Sequence, residues 1–158
     1  MRTLAPTSQM RALRELEPPS PDEGLTEVEH VVFVRAPPSD RPRAGVFVAA
    51  AVLREGGWPV DADPDAPHLV FDWRPDGAPD DVAPLVAMLA AEVSGPVEGA
   101  LCPHPGGPPT CWCRPPLPGV PLAFARAHGV DPARSILVGA SPAHRTLATT
   151  LGARYVAA

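Results

Sequence analysis

The sequence predicts an α/β fold of three layers, in which helices pack on both faces of a parallel sheet. Short apolar runs rich in strand-forming residues alternate with helical stretches along the chain, which is the pattern of a doubly wound sheet. Most junctions carry proline or glycine, the residues that end strands and helices. The length of 158 residues suits one domain, and 45% hydrophobic residues is an ordinary globular content.

The N-terminal part of the chain separates into an arm and the start of the domain. Residues 1–29 carry charge and proline without a sustained hydrophobic period, so we expect a mobile arm there. The α/β domain is expected over 30–158. Its first strand is predicted at 30–36, a β-branched run followed by two prolines, and its first helix at 44–55, closed by Gly56.

The rest of the chain continues the alternation. A second strand is predicted at 68–73, a helix capped by acidic residues at 80–93, and a third strand at 97–101. A loop rich in cysteine and proline follows. Beyond it the sequence predicts a helix at 119–128 that a glycine ends, a strand at 135–139, a helix from the cap Ser141 to Leu151, and a last strand at 154–157.

Composition and charge exclude several function classes. All 13 basic residues are arginine, so chemistry that needs lysine, such as a Schiff base or a P-loop, is excluded. The net charge is −5 and the arginines are scattered, so we expect no nucleic-acid partner. The chain has neither an 18-residue apolar run nor the apolar core of a signal peptide, so we expect a cytoplasmic protein without a membrane segment.

Three cysteines and one histidine lie close together in the loop after the third predicted strand. Cys102 and His104 form one closely spaced pair, and Cys111 and Cys113 form another. Thiolate and imidazole are ligands that zinc prefers, and four of them complete a tetrahedral site without an open position. The intervening loop has no apolar side chains with which to bury itself, so metal binding would supply its folding free energy. The sequence therefore predicts a structural zinc in the loop 102–113; the alternative is three unconnected thiols.

The stretch ALCPHPGGPPTCWCRPPLPG, followed by DPARSILVGASPAHRTLATTLGARYV, resembles one branch of a known superfamily. It is similar to the histidinol-phosphate and heptose-bisphosphate phosphatases of the haloacid dehalogenase (HAD) superfamily. Those proteins carry a Cys-x-His…Cys-x-Cys zinc loop, then Arg-Lys-Pro, Pro-Gly and a strand that ends Val-Gly-Asp. Residues 97–156 follow the same order and spacing. The resemblance implies a HAD-like, Rossmann-type fold with the zinc loop as an insertion.

The resemblance also implies a set of catalytic residues. Active members use two aspartates, two residues apart, at the end of the first strand, a threonine or serine after the second, a lysine after the zinc loop, and aspartates after the fourth. Magnesium and the lysine neutralise the phosphoryl group so that a carboxylate can attack it.

This chain departs from that set at every position. Arg35 stands near the end of the first predicted strand, and Phe71-Asp72-Trp73 ends the second. Pro115 replaces the lysine. Ala140 stands at the fourth-strand aspartate, with His144 at the second acid. We therefore expect no catalytic residues and no magnesium site. A nucleophile within 71–77 instead would leave no room for a second strand.

The sequence thus favours a pseudophosphatase, a binding, scaffold or regulatory protein that holds a protein partner or a small phosphorylated ligand. Candidate ligands of a residual phosphate pocket are Arg114, Ser141 at a helix N-terminus, and Arg35. The alternative for Arg114 is a solvent-exposed arginine, and the alternative for Ser141 is a helix cap alone. His144 is expected to be an exposed helix residue. The alternatives are an active phosphatase acting on a small sugar-phosphate-like monoester, and a partner subunit that completes the site.

Overall fold

The computed structural model describes residues 42–58, 61–106 and 111–158. Five strands lie within them: β1 (Val46–Ala49), β2 (His68–Trp73), β3 (Val97–Cys102), β4 (Ile136–Gly139) and β5 (Arg154–Ala157). The helices are α1 (Ala50–Arg54), α2 (Ala83–Ala90), α3 (Gly119–His128) and α4 (Pro142–Leu151), with 3₁₀ turns at Pro79–Val82 and Pro132–Arg134. None of these helices is long and apolar enough to cross a membrane.

The strands form one parallel sheet in the order β3-β2-β1-β4-β5, as predicted for the fold class. From β1 the chain winds outward to β3, and it then returns to place β4 and β5 on the other side of β1. Because parallel crossovers are right-handed, α1 and α2 lie on one face of the sheet and α3 and α4 on the other. Phe124 of α3 accordingly packs edge-on against Phe47 of β1, with ring centroids 6.2 Å apart.

The central strand β1 shows that the helix predicted at 44–55 was wrong in its first half. Val46 to Ala49 pair with β2 on one side and with β4 on the other, and the helix begins only at Ala50. Each of the four strand residues is at most 2% exposed. A strand buried on both faces lacks polar–apolar alternation, and the alanines that follow favour helix. The continuous apolar run therefore made β1 and α1 look like a single helix in the sequence.

Several predicted helix ends are confirmed by their hydrogen bonds. The Ser141 hydroxyl caps α4 by accepting a hydrogen bond from the backbone N–H of His144 at 3.3 Å. The Asp81 carboxylate accepts one from the backbone N–H of Ala78 at 3.1 Å, but this bond caps the 3₁₀ turn Pro79–Val82, and α2 begins only at Ala83 without a side-chain cap. α3 stops at Gly129, whose φ of 62° is the left-handed conformation that glycine adopts at helix ends.

One predicted helix end is wrong, and the predictions for the N-terminal residues are not tested. The helix predicted to run to Val93 ends at Ala90, where the backbone N–H of Ala91 already bonds back into the helix. The strand predicted at 30–36 and the arm at 1–29 lie outside the described residues, so the domain boundaries stay a prediction.

The strand order places a crevice at one edge of the sheet. The chain reverses its winding between β1 and β4, and ligands of open α/β sheets bind at the carboxyl ends of strands beside such a reversal. Ala49 ends β1 and Gly139 ends β4, while Asp72 and Cys102 lie at the same edge in β2 and β3. The fold therefore brings the predicted ligand pocket and the predicted metal loop to one edge.

His68 begins β2 at the opposite edge and has no exposed surface. Its Nδ1 lies 2.7 Å from the carbonyl oxygen of Ala66, so in the neutral ring Nδ1 carries the proton and donates it. Nε2 has no hydrogen-bond partner among the described residues, and the ring packs edge-on against Trp58. Burial lowers the pKa of His68, against the smaller raising effects of the Ala66 carbonyl and of Asp63.

We expect the protein to lose stability as the pH falls below about 6.5, the ordinary histidine pKa. In that range the unfolded chain binds a proton on His68 that the folded chain excludes. The free energy of unfolding then falls by up to about 1.4 kcal/mol per pH unit for this group. Urea unfolding at pH 7.5 and 5.5 measures the loss, which should be smaller in His68→Leu. An equal loss in both proteins would contradict this assignment.

Candidate functional site

The four predicted metal ligands come together where β3 ends. One ligand atom from each of Cys102, His104, Cys111 and Cys113 lies within 4.8 Å of all the others. The Sγ of Cys102 is 3.2 Å from that of Cys113 and 3.7 Å from that of Cys111. The Nδ1 of His104 is 3.5 Å from the Sγ of Cys102 and 3.2 Å from that of Cys113. The loop thus forms a cluster of four donors.

This donor set fits zinc. A tetrahedral zinc ion at about 2.3 Å from thiolate and about 2.0–2.1 Å from imidazole has ligand atoms about 3.5–3.8 Å apart. The observed separations of 3.2, 3.5 and 3.7 Å are close to that spacing. Four protein ligands leave no position for substrate or water, so such an ion would be structural. The four residues can therefore hold a metal ion, and soft sulfur donors with one imidazole favour zinc.

The thiols of the cluster differ in how readily they ionise. Burial and hydrogen bonds with Cys102 and Cys111 raise the pKa of Cys113 to about 12. Burial also opposes ionisation of Cys111, but hydrogen bonds from Cys113 and from nearby backbone groups outweigh it and lower the pKa to about 6. Zinc binds thiolates, so metal binding to this cluster releases protons.

Two side chains brace the first half of the loop. The indole Nε1 of Trp73, at the end of β2, donates a hydrogen bond to the carbonyl of His104 at 2.9 Å. The guanidinium of Arg114 donates to the carbonyl of Pro105 at 2.8 Å and lies over the Trp73 ring, 5.5 Å from its centroid. Arg114 was predicted as an anion ligand; these contacts make it part of the metal loop's framework.

The second half of the loop is closed by a backbone contact. The N–H of Gly119 donates to the carbonyl of Trp112 at 2.7 Å. A Cβ at Gly119 would lie 2.3 Å from that oxygen, so only glycine permits the approach. The Trp112 side chain points outward and is 75% exposed. The loop therefore presents an indole to solvent from between two metal ligands.

His144 lies over the carboxyl end of β4 and is partly buried, which corrects the prediction of an exposed helix residue. Its Nδ1 accepts a hydrogen bond from the N–H of Ala140 at 3.3 Å, and its ring packs edge-on against Phe71 at 5.6 Å. The position depends on Gly139, where a Cβ would lie 2.5 Å from the Cβ of His144. The pattern Gly-x-x-x-x-His was the available sequence signal for this packing.

The environment of His144 sets its protonation. Burial lowers the pKa of the imidazole, against a smaller raising effect of Asp72, so the ring is neutral at pH 7. Because Nδ1 accepts the N–H of Ala140, the proton of the neutral ring sits on Nε2. His144 therefore offers a neutral hydrogen-bond donor at this edge of the sheet.

The carboxylate nearest this crevice is already engaged. Asp72 forms an ion pair with Arg54 of α1 and accepts the backbone N–H of Trp73 at 2.9 Å. β1 ends at Ala49 and is followed by two more alanines. Arg35, the third predicted ligand, lies outside the described residues, and the central strand ends at Ala49 rather than near Arg35.

A cavity of about 430 Å³ opens between β4, β5 and the start of α4. Ser141 lies on its wall, with Arg145 and Tyr155 beside it. The Tyr155 hydroxyl donates to the carbonyl of Gly139 at 2.7 Å, and the Arg145 guanidinium lies 5.2 Å from the centroid of the Tyr155 ring. The structure thus places Ser141 at a cavity and Arg114 in the metal loop.

Two solved structures are similar to this chain. A D,D-heptose 1,7-bisphosphate phosphatase from B. bronchiseptica, complexed with magnesium and phosphate, has 18% identity and a TM-score of 0.46, over 72% of this chain and 78% of that one. A protein from Mesorhizobium loti described as a HAD-like phosphatase has 20% identity and a TM-score of 0.48, over 82% and 78%. No family model and no curated protein matches the chain.

We expect Cys111→Ser to reduce the zinc content from about one ion per chain to well below half, because a closed site needs all four ligands. The thermal midpoint should fall with it, since metal binding stabilises the fold. Metal analysis and thermal unfolding measure both effects. Trp112→Ser, a change at an exposed neighbour in the same loop, is the control and should keep its zinc. Unchanged zinc content and stability in Cys111→Ser would overturn the structural zinc site.

Proposed function

We propose that this protein is a pseudophosphatase, a HAD-like domain with a structural zinc that acts by binding instead of by phosphoryl transfer. The observation that carries the proposal is the end of the central strand. The resemblance places two aspartates there, two residues apart, and this chain has Ala49 and Ala51 with a third alanine between them. An alanine methyl group can neither attack a phosphoryl group nor ligate magnesium.

The neighbouring strands support the same conclusion. Ala140 follows β4, where the resemblance places a magnesium aspartate, and the whole chain has no lysine. Magnesium prefers carboxylate oxygens, yet Asp72 is bound to Arg54. Among residues 42–58, 61–106 and 111–158, the one group of three or more potential metal ligands is the Cys/His cluster. We therefore propose that the magnesium site is missing.

A residual anion site at the start of α4 remains part of the proposal. The positive end of the α4 helix dipole favours negative charge, and it adjoins the cavity of about 430 Å³, whose wall carries the Ser141 hydroxyl and the Arg145 guanidinium as hydrogen-bond donors. A small phosphorylated ligand would fit these donors without a metal ion. Arg35 stays a predicted ligand, and the exposed Trp112 is the feature that favours a protein partner.

An active phosphatase would need its carboxylates from elsewhere. They would have to come from residues outside the described part of the chain or from a partner subunit. Such an enzyme would bind magnesium in the crevice, whereas the pseudophosphatase would bind phosphate without it. Magnesium dependence therefore separates the two functions.

We expect inorganic phosphate to raise the thermal midpoint of the zinc-loaded protein equally with and without magnesium. Ser141→Asn and Ser141→Asp both keep a good helix cap, but only the aspartate adds a charge that repels the anion. The phosphate-induced shift should persist in Ser141→Asn and disappear in Ser141→Asp. Phosphate binding that requires magnesium would contradict the proposed function, and equal shifts in both variants would remove Ser141 from the site.

A further inference from the structure

We infer that the Cys/His cluster is also a peroxide-sensitive switch, in which Cys102 and Cys113 form a disulfide and zinc is released. The inference rests on the proposed zinc site. It assigns the cluster a second, reversible state, and it names a hydroperoxide as the oxidant that interconverts the two.

The geometry selects the pair of thiols. The Sγ atoms of Cys102 and Cys113 are 3.2 Å apart, and a disulfide bond needs about 2.05 Å. A movement of about 1.2 Å therefore joins them, less than Cys111 would need from its 3.7 Å. Cys102 is the fixed member, because it ends β3 and its carbonyl accepts the N–H of Arg74 at 3.1 Å.

Burial selects the order of events. Cys102 has no exposed surface, so a peroxide in solution cannot reach its sulfur first. Cys113 is partly exposed, and the adjoining ligand His104 is exposed. Cys111 is partly exposed as well, and Cys113 is the exposed thiol nearer to Cys102, so oxidation at Cys113 leads to the disulfide. Cys102 then acts as the resolving thiol from inside the protein.

The chemistry balances as a two-electron oxidation. The Cys113 thiolate attacks one oxygen of hydrogen peroxide, the O–O bond breaks, and the product is a sulfenic acid and a hydroxide that takes up a proton. The Cys102 thiolate attacks the sulfenic sulfur, the S–O bond breaks, and a second hydroxide leaves and is protonated. Two thiolates, one peroxide and two protons thus give one disulfide and two waters. Only His104 and Cys111 then remain as ligands, and two ligands are too few to retain zinc, so the ion would dissociate.

The switch reaches the surface of the protein through the loop. Release of zinc frees His104, whose carbonyl binds the Trp73 indole, and it frees Cys111, which precedes the exposed Trp112. The disulfide still closes the loop between Cys102 and Cys113. Oxidation therefore changes the surroundings of His104, Cys111 and Trp112 and leaves the sheet unchanged.

The test uses the full-length zinc-loaded protein, with zinc measured before oxidation. One equivalent of hydrogen peroxide should release about one zinc ion per chain to a chromogenic chelator, and the thiol count of the denatured protein should fall from three to one. Chymotrypsin cleaves after Trp112 and separates Cys113 from the other two cysteines. With the remaining thiol alkylated before digestion, peptide fragmentation should place the alkyl label on Cys111 and the disulfide between Cys102 and Cys113, and dithiothreitol with zinc should restore the original state.

Two variants and three outcomes make the test decisive. The fraction of Cys111→Ser that retains zinc should still lose both remaining thiols to a disulfide, and Cys113→Ser should form no Cys102 disulfide at that dose. Zinc retained after ten equivalents of peroxide would overturn the switch. Zinc released with sulfinic or sulfonic cysteines and no disulfide would overturn it too. A protein that cannot be loaded with zinc would overturn the structural zinc site instead, which the initial metal analysis detects separately.

Discussion

The burial of the central strand β1 is the constraint on which the rest of the structure depends. This strand is hydrogen-bonded on both sides, and it continues into α1 without a loop. Ala49 and Ala50 at this junction are each 1% exposed. A carboxylate buried there needs a compensating cation, because an unpaired buried charge is very costly. In the proposed pseudophosphatase, which would have neither magnesium nor lysine at this edge, alanine leaves no unpaired charge buried at the junction.

The metal loop, at the same edge of the sheet, is stabilised in a different way. The stretch between its two pairs of ligands consists of proline, glycine and threonine, so it has no large apolar side chain with which to pack. Cys102 anchors it to the buried end of β3, and Trp73 and Arg114 hold its backbone through two carbonyl groups. A structural metal would supply the remaining free energy of closure. A bound metal would thus hold the four ligand residues together beside the crevice.

The sequence predicted best where a single residue type has one local role. Ser141 and Gly129 marked helix ends, and the four metal ligands followed from their spacing. The prediction from sequence failed at β1, because a strand that is buried on both faces shows no alternation of polar and apolar residues, and the alanines that follow it favour helix. It also missed the packing of His144 and the Arg54–Asp72 ion pair, since those contacts join strands and helices that only the folded sheet brings together.

The most direct test of the pseudophosphatase interpretation is a phosphatase assay on the purified protein, with magnesium, over a panel of sugar and amino-alcohol phosphates. Metal analysis of the same sample gives the zinc content. The interpretation predicts no turnover above the buffer background, together with about one zinc ion per chain. Magnesium-dependent turnover that survives repurification would contradict it, because a carboxylate nucleophile would then act from outside the end of β1.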